Sequence, residues 1–398
     1  MFTQDIVGGE PLSGVTVVEL GQVVAGPFAT MVLSDLGAEV IKIESPGRGD
    51  LARSVEPSPE YFDTANRNKR SVEIDLKSAA GQEVARRLLD EADVFVENTK
   101  PGRIETFGLD YGTVSESNPE LVYCTITGFG EGSPYESVPA FDMVIQAMSG
   151  IMGLTGKAGD PPLWSGLPSG DLAAAMYAVQ SVLVALYARA TGDIEGEYIE
   201  VPMLDAAVSW LDSRAAYTFR HGEPRPRTER HTGMAPFGPF ACADDRIIVA
   251  AGTDSLFSAL CSTLDRPDLA DDDRFASIAT RLDNREALVA ELEATFETAD
   301  REHWLERLHA DEIPAAPIYD TKTVWEDPHV RQRGLRQTVP RADGSEATVI
   351  GHPVRFRNLT ASTRHGPPAL GADTDDLLAA LDYGEDEIER LREEGSVG

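Results

Sequence analysis

One acidic residue, Asp171, lies where a carboxylate can act as a nucleophile. It follows Gly170 in SGDLAAAMYAV, directly before a long apolar segment that predicts a helix from Leu172. The helix dipole should keep such a carboxylate ionised and favour negative charge developing beside it. It could attack a thioester and form a mixed anhydride, with N–H groups of Gly-bearing turns as the oxyanion site. The alternative is structural, because Asp is a good N-cap residue.

Other side chains are weaker candidates for acid–base chemistry. Glu19, Asp35 and Glu44 lie at predicted strand or helix ends, where most carboxylates are solvated or capping. Asp142 begins a further predicted helix in PAFDMVIQAMSG and has the same N-cap alternative. Histidine is scarce, and His231 is the one with a candidate role. No H-E-x-x-H spacing and no G-x-S-x-G elbow occurs, so no metal site and no serine hydrolase site are predicted.

A series of basic residues stands out in a chain that is otherwise strongly acidic. Each lies at or near a predicted strand end or turn, where loops of a doubly wound sheet converge on a ligand crevice. The series favours an anionic ligand that carries phosphates, or else supplies counter-charge for nearby acidic residues. Its members are Lys42, Arg48, Arg67, Lys69, Arg70, Lys77, Lys100 and Arg103.

The overall composition excludes several classes of protein. The net charge of the 398 residues is −32, spread along the whole chain, which argues against a nucleic-acid partner and fits a protein adapted to concentrated salt. Three cysteines at long spacings predict free thiols and neither disulfides nor a zinc site. No run of 18 apolar residues predicts a membrane span, and Met1–Glu10 does not resemble a signal peptide, so a cytoplasmic location is expected.

Strand and helix signals alternate through the N-terminal half and predict a parallel sheet with right-handed crossovers. The first turn, GQVVAGP, lacks the G-x-G-x-x-G dinucleotide fingerprint, and the chain has no P-loop. The predicted strands are Val15–Leu20, Glu39–Ile43, Ser71–Asp75, Asp93–Glu97, Leu121–Ile126 and Tyr198–Pro202, and the predicted helices are Phe28–Leu36, Ala79–Glu91, Asp171–Ala190 and Leu204–Phe219.

The second half of the sequence is predicted to contain a linker, a smaller folded region and a C-terminal tail. His221–Pro239 is rich in Arg, Pro, Gly and His, which is typical of a linker. A strand at Arg246–Ala251 and helices near Ser255–Leu264, Arg281–Glu297 and His303–Ala310 are predicted next, followed by a tail strand near Thr348–Ile350 and a helix at Thr374–Leu381.

Long segments of this sequence share the pattern of one known family. They include AGPFATMVLSDLGAEVIKIESPGRGD, NRNKRSVEIDLKSAAGQEVARRLLDEADVFVENTKPG, FDMVIQAMSGIMGLTG, GDLAAAMYAVQSVLVALYARATG and LGADTDDLLAALDYGEDEIERL. In these segments the chain resembles the family III CoA-transferases of the CaiB/BaiF type. The match spans most of residues 11–210 and the C-terminus, and it is loose over 222–330.

The resemblance implies an α/β fold with a Rossmann-like large domain, a parallel sheet and a smaller α+β domain. Residues 1–220 and 331–398 would form the large domain and 221–330 the linker and small domain, in an interlocked homodimer. It implies that Asp171 is the catalytic nucleophile, which passes through a mixed anhydride and a β-aspartyl-CoA thioester. Coenzyme A would be a substrate, with an acyl-CoA and a small carboxylic acid as partners and no tightly bound cofactor.

The resemblance also places coenzyme A against three loops. The implied contacts are Val23 and Val24 in the first turn, Ile74, Asp75, Leu76 and Lys77 after NKRS, and Asn98, Thr99, Lys100 and Arg103 after VEN. Two family arginines are replaced, by Ser45 and Thr106, and Arg48 or Arg103 is expected to substitute for them.

Two motifs that this sequence lacks restrict the choice of substrate and of reaction. No Gly-rich loop lies between Arg230 and Gly252, which favours larger acids over formyl transfer. Succinyl-CoA as donor and a diacid such as mesaconate as acceptor are expected, with Arg53, Arg67 or His231 pairing a second carboxylate. The alternatives are an α-methylacyl-CoA racemase, disfavoured because Phe141 stands where a His would be needed, and a non-catalytic nucleotide-binding protein.

Overall fold

The β-branched runs of the N-terminal half form one parallel sheet in the computed structural model, which describes residues 9–54 and 60–398. Six strands pair in the order β3-β2-β1-β4-β5-β6, and the predicted α/β class is confirmed. Both faces of this sheet are covered, which explains why its central strands, such as Thr16–Leu20 and Val94–Glu97, are mostly apolar. The strands are β1 (Thr16–Leu20), β2 (Glu39–Glu44), β3 (Lys69–Glu73), β4 (Val94–Glu97), β5 (Val122–Thr127) and β6 (Glu197–Pro202), followed by β7 (Phe237–Ala241), β8 (Arg246–Ala250), β9 (Ala315–Pro317), β10 (Arg336–Pro340) and β11 (Glu346–Ile350).

Helices connect and cover these strands. They are α1 (Ala25–Asp35), α2 (Glu60–Asp63), α3 (Ala79–Asp90), α4 (Tyr111–Ser117), α5 (Asp142–Ser149), α6 (Ser169–Thr191), α7 (Met203–Ser209), α8 (Asp212–His221), α9 (Asp254–Thr263), α10 (Pro267–Ala270), α11 (Ile278–Asp283), α12 (Arg285–Phe296), α13 (Arg301–Ala310), α14 (Pro328–Arg333), α15 (Thr374–Ala380) and α16 (Glu385–Glu393).

The chain divides into two compact units. One unit comprises Met1–Met152, Trp164–Arg220 and Pro328–Gly398, and the other comprises Gly153–Leu163 and His221–Asp327. The short segment Gly153–Leu163 therefore groups with the smaller unit, whereas the sequence-based division assigned it to the large domain.

Two apolar cores lie on opposite faces of the six-stranded sheet. One core contains side chains of α1, α5, α6 and α7, such as Leu33, Ile145 and Ala174. The other contains side chains of α3, α4, α15 and α16, such as Val84 and Leu378. The C-terminal residues thus return to cover the same sheet that the N-terminal half builds.

A buried ionic cluster ties the ends of β1, β2 and β3 together. Glu19 accepts hydrogen bonds from the ammonium groups of Lys42 and Lys69, each at 2.6 Å, and Lys42 also pairs with Asp50 at 2.9 Å. Burial opposes ionisation of Glu19, but the two lysines outweigh it and lower its pKa to about 2. Burial and the charge of Lys42 lower the pKa of Lys69 to about 8, although Glu19 opposes this change.

Helix α6 is the one helix among the described residues that combines great length with a mostly apolar composition. By length and composition it could cross a membrane, and 39% of its most apolar window is buried. It packs against α1, α5 and α7 and against strands β5 and β6, as the core helix of a layered fold does. The helix predicted over Asp171–Ala190 is confirmed, and it contains no run of 18 apolar residues because Gln180 and Ser181 interrupt its apolar side chains.

The smaller unit is an α+β arrangement. Strands β7, β8 and β9 form an antiparallel sheet, and helices α9 to α13 contribute to the core behind it. The buried Phe240, Phe296 and Trp304 contact one another in that core. Strand β7 begins at Phe237, so the predicted linker ends earlier than Pro239.

Two predicted helices are each divided in the structure, and parts of the tail were not predicted. The helix predicted over Leu204–Phe219 is divided into α7 and α8, because Asp212 has a φ of 44°. The helix predicted over Arg281–Glu297 is divided at Asn284 into α11 and α12. The strand predicted near Thr348–Ile350 is confirmed as β11, whereas its hairpin partner β10 and helix α16 were not predicted.

Candidate active site

Asp171 lies in the first turn of α6, and it is not the N-cap of that helix. The helix begins at Ser169 after Pro168, and the backbone N–H of Leu172 already donates to the carbonyl oxygen of Pro168 at 2.9 Å. The N-cap interpretation of Asp171 was therefore wrong. Its carboxylate is free of that structural role.

Asp142 closes the first turn of α6 from the neighbouring helix α5. Its Oδ1 accepts the backbone N–H of Gly170 at 2.8 Å and that of Asp171 at 3.4 Å. Its Oδ2 accepts the Gln146 side-chain amide at 2.6 Å and the Trp164 indole N–H at 3.2 Å. The carboxylate that begins α5 thus caps a different helix from its own.

A glycine is required where the two helices meet. A Cβ on Gly170 would lie 2.8 Å from Cγ2 of Ile145 and 3.2 Å from Oδ1 of Asp142. Ile145 is fully buried, so its side chain has no free space into which it can move. Gly170 therefore sets the close approach that brings Asp142 to the turn carrying Asp171.

The environment of Asp171 disfavours its charged form. Burial, and in second place the negative charge of Asp142, raise the pKa of Asp171 to about 7. The sequence argument predicted an ionised carboxylate from the helix dipole alone, and burial together with a like charge outweighs that effect. The half-exposed Tyr61 of α2 lies near Asp171 and Asp142. Burial, followed by the negative charges of Asp171 and Asp142, raises the pKa of Tyr61. No sequence signal marked Tyr61.

The predicted backbone oxyanion donors have other partners. Oδ1 of Asp142 accepts hydrogen bonds from the backbone N–H groups of Gly170 and Asp171. In the first turn, Oδ1 of Asn98 accepts the N–H of Gln22 at 2.8 Å. Oδ1 of Asp50 accepts the N–H of Val23 at 3.0 Å. These four N–H groups are therefore not free for a substrate oxygen.

The three loops assigned to coenzyme A lie side by side. They follow β1, β3 and β4, and the order β3-β2-β1-β4 brings their carboxyl ends to one edge of the sheet. Asn98 joins two of them, because its amide also donates to the carbonyl oxygen of Gln22 at 3.0 Å. Val23, in the first of these loops, has a φ of 67°, which is rare for a β-branched residue.

The side chains in these loops fall into two groups. Those of Ile74 and Leu76 are buried in the core, so their exposed contacts would come from the backbone. Those of Lys77, Lys100 and Arg103 are exposed and make no ion pair with any residue in the described ranges, and Arg103 lies 5.4 Å from the ring of Phe107. Three predicted contacts remain. Val24 is buried as the N-cap of α1. Oδ1 of Asp75 accepts the N–H of Lys77, and the N–H of Thr99 donates to Glu97.

Two cavities open along this edge. A small one of about 20 Å³ lies among the loops after β1, β2 and β3, and Ser45 and Asp50 are in its lining. A larger one of about 620 Å³ lies beyond β4, with Glu97, Lys100 and Tyr123 in its lining. Burial raises the pKa of Glu97, although hydrogen bonds from Thr125 and Thr99 oppose the change.

Half of the basic series serves as counter-charge. Lys42 and Lys69 hold Glu19, Arg67 holds Asp35 at 2.5 Å, and Arg70 holds Glu39 at 2.9 Å. Among the described residues, Arg48, Lys77, Lys100 and Arg103 have no such partner and are exposed. The anionic-ligand interpretation therefore rests on these four residues.

The residues expected to hold a second substrate carboxylate are engaged elsewhere. Arg53 donates to both oxygens of Glu44, and Arg67 is paired with Asp35. His231 accepts the N–H of Gly233 at Nδ1 and stacks on the ring of Phe237. Within the described ranges, no group of three His, Cys, Asp or Glu residues could hold a metal ion.

Comparison with known proteins agrees with this arrangement. The model of CoA-transferase family III matches residues 12–374. The human succinyl-CoA:glutarate CoA-transferase is 34% identical over 98% of this chain and 90% of its own length. The succinyl-CoA:mesaconate CoA-transferase of Haloarcula marismortui is 36% identical over 95% of this chain and 98% of its own length. A crystal structure of a CAIB/BAIF family protein from Brucella suis is 36% identical, with a TM-score of 0.86, and covers 94% of this chain and 99% of that one. With a family model over most of its length and relatives named for the activity, this chain belongs to CoA-transferase family III and is a CoA-transferase.

Proposed function

We propose that this enzyme moves coenzyme A from succinyl-CoA to a small dicarboxylic acid of the glutarate or mesaconate type, with Asp171 as the covalent nucleophile. The observation that carries the proposal is a carboxylate in the first turn of α6 that no structural role consumes. The donor and acceptor classes are supported by the names of relatives, which pair succinyl-CoA with glutarate or mesaconate.

The chemistry of Asp171 needs no external base. Its ionised carboxylate attacks the thioester carbonyl, the C–S bond breaks, and the thiolate of coenzyme A leaves a mixed anhydride behind. The thiolate then attacks the side-chain carbonyl carbon of Asp171, which releases the donor acid and leaves a β-aspartyl thioester. The acceptor carboxylate attacks that thioester to form a second anhydride and free the thiolate. Attack of the thiolate on the acceptor carbonyl gives the new acyl-CoA and regenerates Asp171.

Coenzyme A lies, in this proposal, along the loops after β1, β3 and β4. Loops at the carboxyl ends of parallel strands form the usual ligand crevice of open α/β sheets. Lys77, Lys100 and Arg103 supply unpaired positive charge for the phosphates, and Arg48 supplies it beside Ser45. The backbone of Ile74 to Leu76 and the turn at Val23 and Val24 provide the uncharged contacts.

In this proposal, a second copy of the chain covers apolar residues that are exposed on the larger unit. Phe141 and Met143 of α5, Val184 and Tyr187 of α6, and Trp210 beside α7 are each at least 48% exposed. An apolar surface of this extent is typical of a protein interface. A homodimer is therefore part of the proposal, with a cytoplasmic location and an acidic surface suited to high salt.

The decisive experiment is the intact mass of the protein after incubation with succinyl-CoA. Wild type should carry a coenzyme A adduct on the peptide containing Asp171, and hydroxylamine should convert it to a hydroxamate. Asp171→Asn should form no adduct while it still binds coenzyme A. An adduct on another residue, or the same adduct in Asp171→Asn, would remove Asp171 as nucleophile.

A further inference from the structure

We propose that Asp142 is a positioning residue for Asp171, whose ionised carboxylate fixes the first turn of α6 and keeps a permanent negative charge beside the nucleophile. The proposal rests on the proposed role of Asp171 as the covalent nucleophile. It adds a second carboxylate that does not react but controls the one that does.

The hydrogen bonds around Asp142 require its ionised form. Two backbone N–H groups, from Gly170 and Asp171, point at Oδ1, and two side-chain N–H groups, from Gln146 and Trp164, point at Oδ2. A protonated carboxyl would turn an O–H toward one of these donors. A carboxylate accepts all four donors without presenting a proton to any of them, so this arrangement favours a negative charge at this position.

The orientation of Gln146 is fixed and cannot adapt to a changed partner. Its side-chain nitrogen also donates to the carbonyl oxygen of Leu167 at 2.8 Å, and its side-chain oxygen accepts the N–H of Ser165 at 3.1 Å. A rotation of the amide would break both contacts. The site is therefore built for an acceptor at Oδ2 of Asp142, and an amide there would place two donors against each other.

The fixed charge explains which of the two carboxyl groups holds a proton. Four donors stabilise the charge of Asp142, whereas the Asp171 carboxylate receives no hydrogen bond among the described residues, so the proton goes to Asp171. Burial and this like charge account for its raised pKa. On the elements packed against α6, and on α2, which carries Tyr61, the titratable groups are Asp35 of α1, Glu60, Tyr61 and Asp63 of α2, Asp142 of α5, Asp205 of α7, Tyr123 and Cys124 of β5, and Glu197, Tyr198 and Glu200 of β6.

The charge of Asp142 favours the covalent intermediates. In the anhydride and in the thioester the side chain of Asp171 is neutral, so its repulsion from Asp142 disappears when it reacts. A carboxylate with a raised pKa is also the stronger nucleophile. Asp142 therefore raises the energy of the free carboxylate relative to both intermediates and holds the turn in which it reacts.

The test is the rate of adduct formation on Asp171 as a function of pH, measured by quenching and intact mass. In wild type the rate should rise with pH around a midpoint near 7, where Asp171 ionises. Asp142→Asn should move this midpoint to lower pH by about one unit and lower the plateau rate about tenfold. Asp142→Glu, which keeps the charge, should lower the plateau without moving the midpoint. Asp376→Asn, a change of an exposed residue of α15, is the matched control and should behave as wild type.

The two proposals fail in different ways. If Asp142→Asn forms the adduct with the midpoint of wild type, Asp142 has only a structural role and the inference is overturned, while the function of Asp171 stands. If wild type forms no adduct on Asp171, the proposed function itself fails. Asp142→Ala removes the same charge without placing an amide against Gln146, and its midpoint decides the question if Asp142→Asn does not fold.

Discussion

Oδ1 of Asp142 lies 2.8 Å from the backbone nitrogen of Gly170, and this contact joins the first turns of α5 and α6. The carboxylate of one helix thereby completes the N-terminus of the next. Asp171 follows Gly170 directly, so the geometry of the proposed nucleophile depends on a residue 29 positions earlier in the chain.

Gly170→Ala should separate the two helices. The new Cβ would lie 2.8 Å from Ile145 and 3.2 Å from Asp142, so α5 and the turn at Asp171 must move apart. We expect a loss of about 1–3 kcal/mol in the free energy of unfolding. Turnover should fall about a hundredfold, because small displacements at a reacting group are costly. Gly153→Ala, at a position with open space around its Cβ, is the control. Equal turnover in both variants would contradict this account of Gly170.

Asp171→Asn should stabilise the protein at alkaline pH. The pKa of Asp171 is about 7 in the folded chain against a usual 3.8, so the folded state binds the extra proton and wild type loses stability as pH rises between these values. The full effect would be about 4 kcal/mol, and because Asp171 is only partly buried we expect about 2.

Urea unfolding at pH 5 and pH 8 measures this effect. The variant should gain on wild type at pH 8 relative to pH 5, and Asp376→Asn should not. A variant that gains equally at both pH values would show that Asp171 is not protonated in the folded state near pH 5.

Substitution by glycine should affect the free energy of unfolding differently at Val23 and at Val24. Val23 is strained by its φ of 67°, and Val24 is a buried N-cap residue with a φ of −125°. Val23→Gly should leave the free energy of unfolding unchanged or higher, because about 1–3 kcal/mol of strain is released. Val24→Gly should lower it by about 2 kcal/mol or more.

The same pair tests the coenzyme A contact. Val23→Gly should raise the KM for succinyl-CoA, because the turn loses its fixed shape and a contact with the ligand. Destabilisation of the same size in both variants would mean that the conformation of Val23 stores no strain.

Removal of the unpaired lysines should weaken binding of coenzyme A. Lys77→Ala and Lys100→Ala should each raise the KM for succinyl-CoA about fivefold, the loss of about 1 kcal/mol expected for one exposed charge–phosphate contact. Lys322→Ala, an exposed lysine of the smaller unit, should not change it.

A truncated donor separates phosphate contacts from other effects. Succinyl-pantetheine carries the thioester but no phosphate, so kcat/KM for it should be the same in wild type and in both lysine variants. A decrease with the truncated donor would place these lysines in another role.

Local patterns were sufficient for the sheet. The β-branched runs before Gly21, after Gly37 and before Asn98 form β1, β2 and β4 as predicted, because such runs separated by helices can be buried only in a parallel sheet. The interruption at Asp212 was not predictable, since no Gly or Pro marks the position of its positive φ.

Only part of the candidate site could be predicted from the sequence. Asp171 was selected from its position after Gly170, and it does lie in the first turn of a long helix. Tyr61 and the capping role of Asp142 were missed, because contacts between distant segments leave no local pattern. The sequence left the basic series open between ligand contact and counter-charge, because pairing with Glu19 or Asp35 depends on burial.

The sequence by itself determined the alternation of strands and helices in the N-terminal half, the class of fold and the carboxylate that we propose as the nucleophile. Periodicity and turn residues act over a few positions, and these features need nothing more. The tertiary structure decided the raised pKa of Asp171, the four hydrogen bonds that Asp142 accepts and which lysines remain free for a ligand. Each of these depends on burial and on distances between segments far apart in the chain, and electrostatic energies are set by those distances and by exclusion of water.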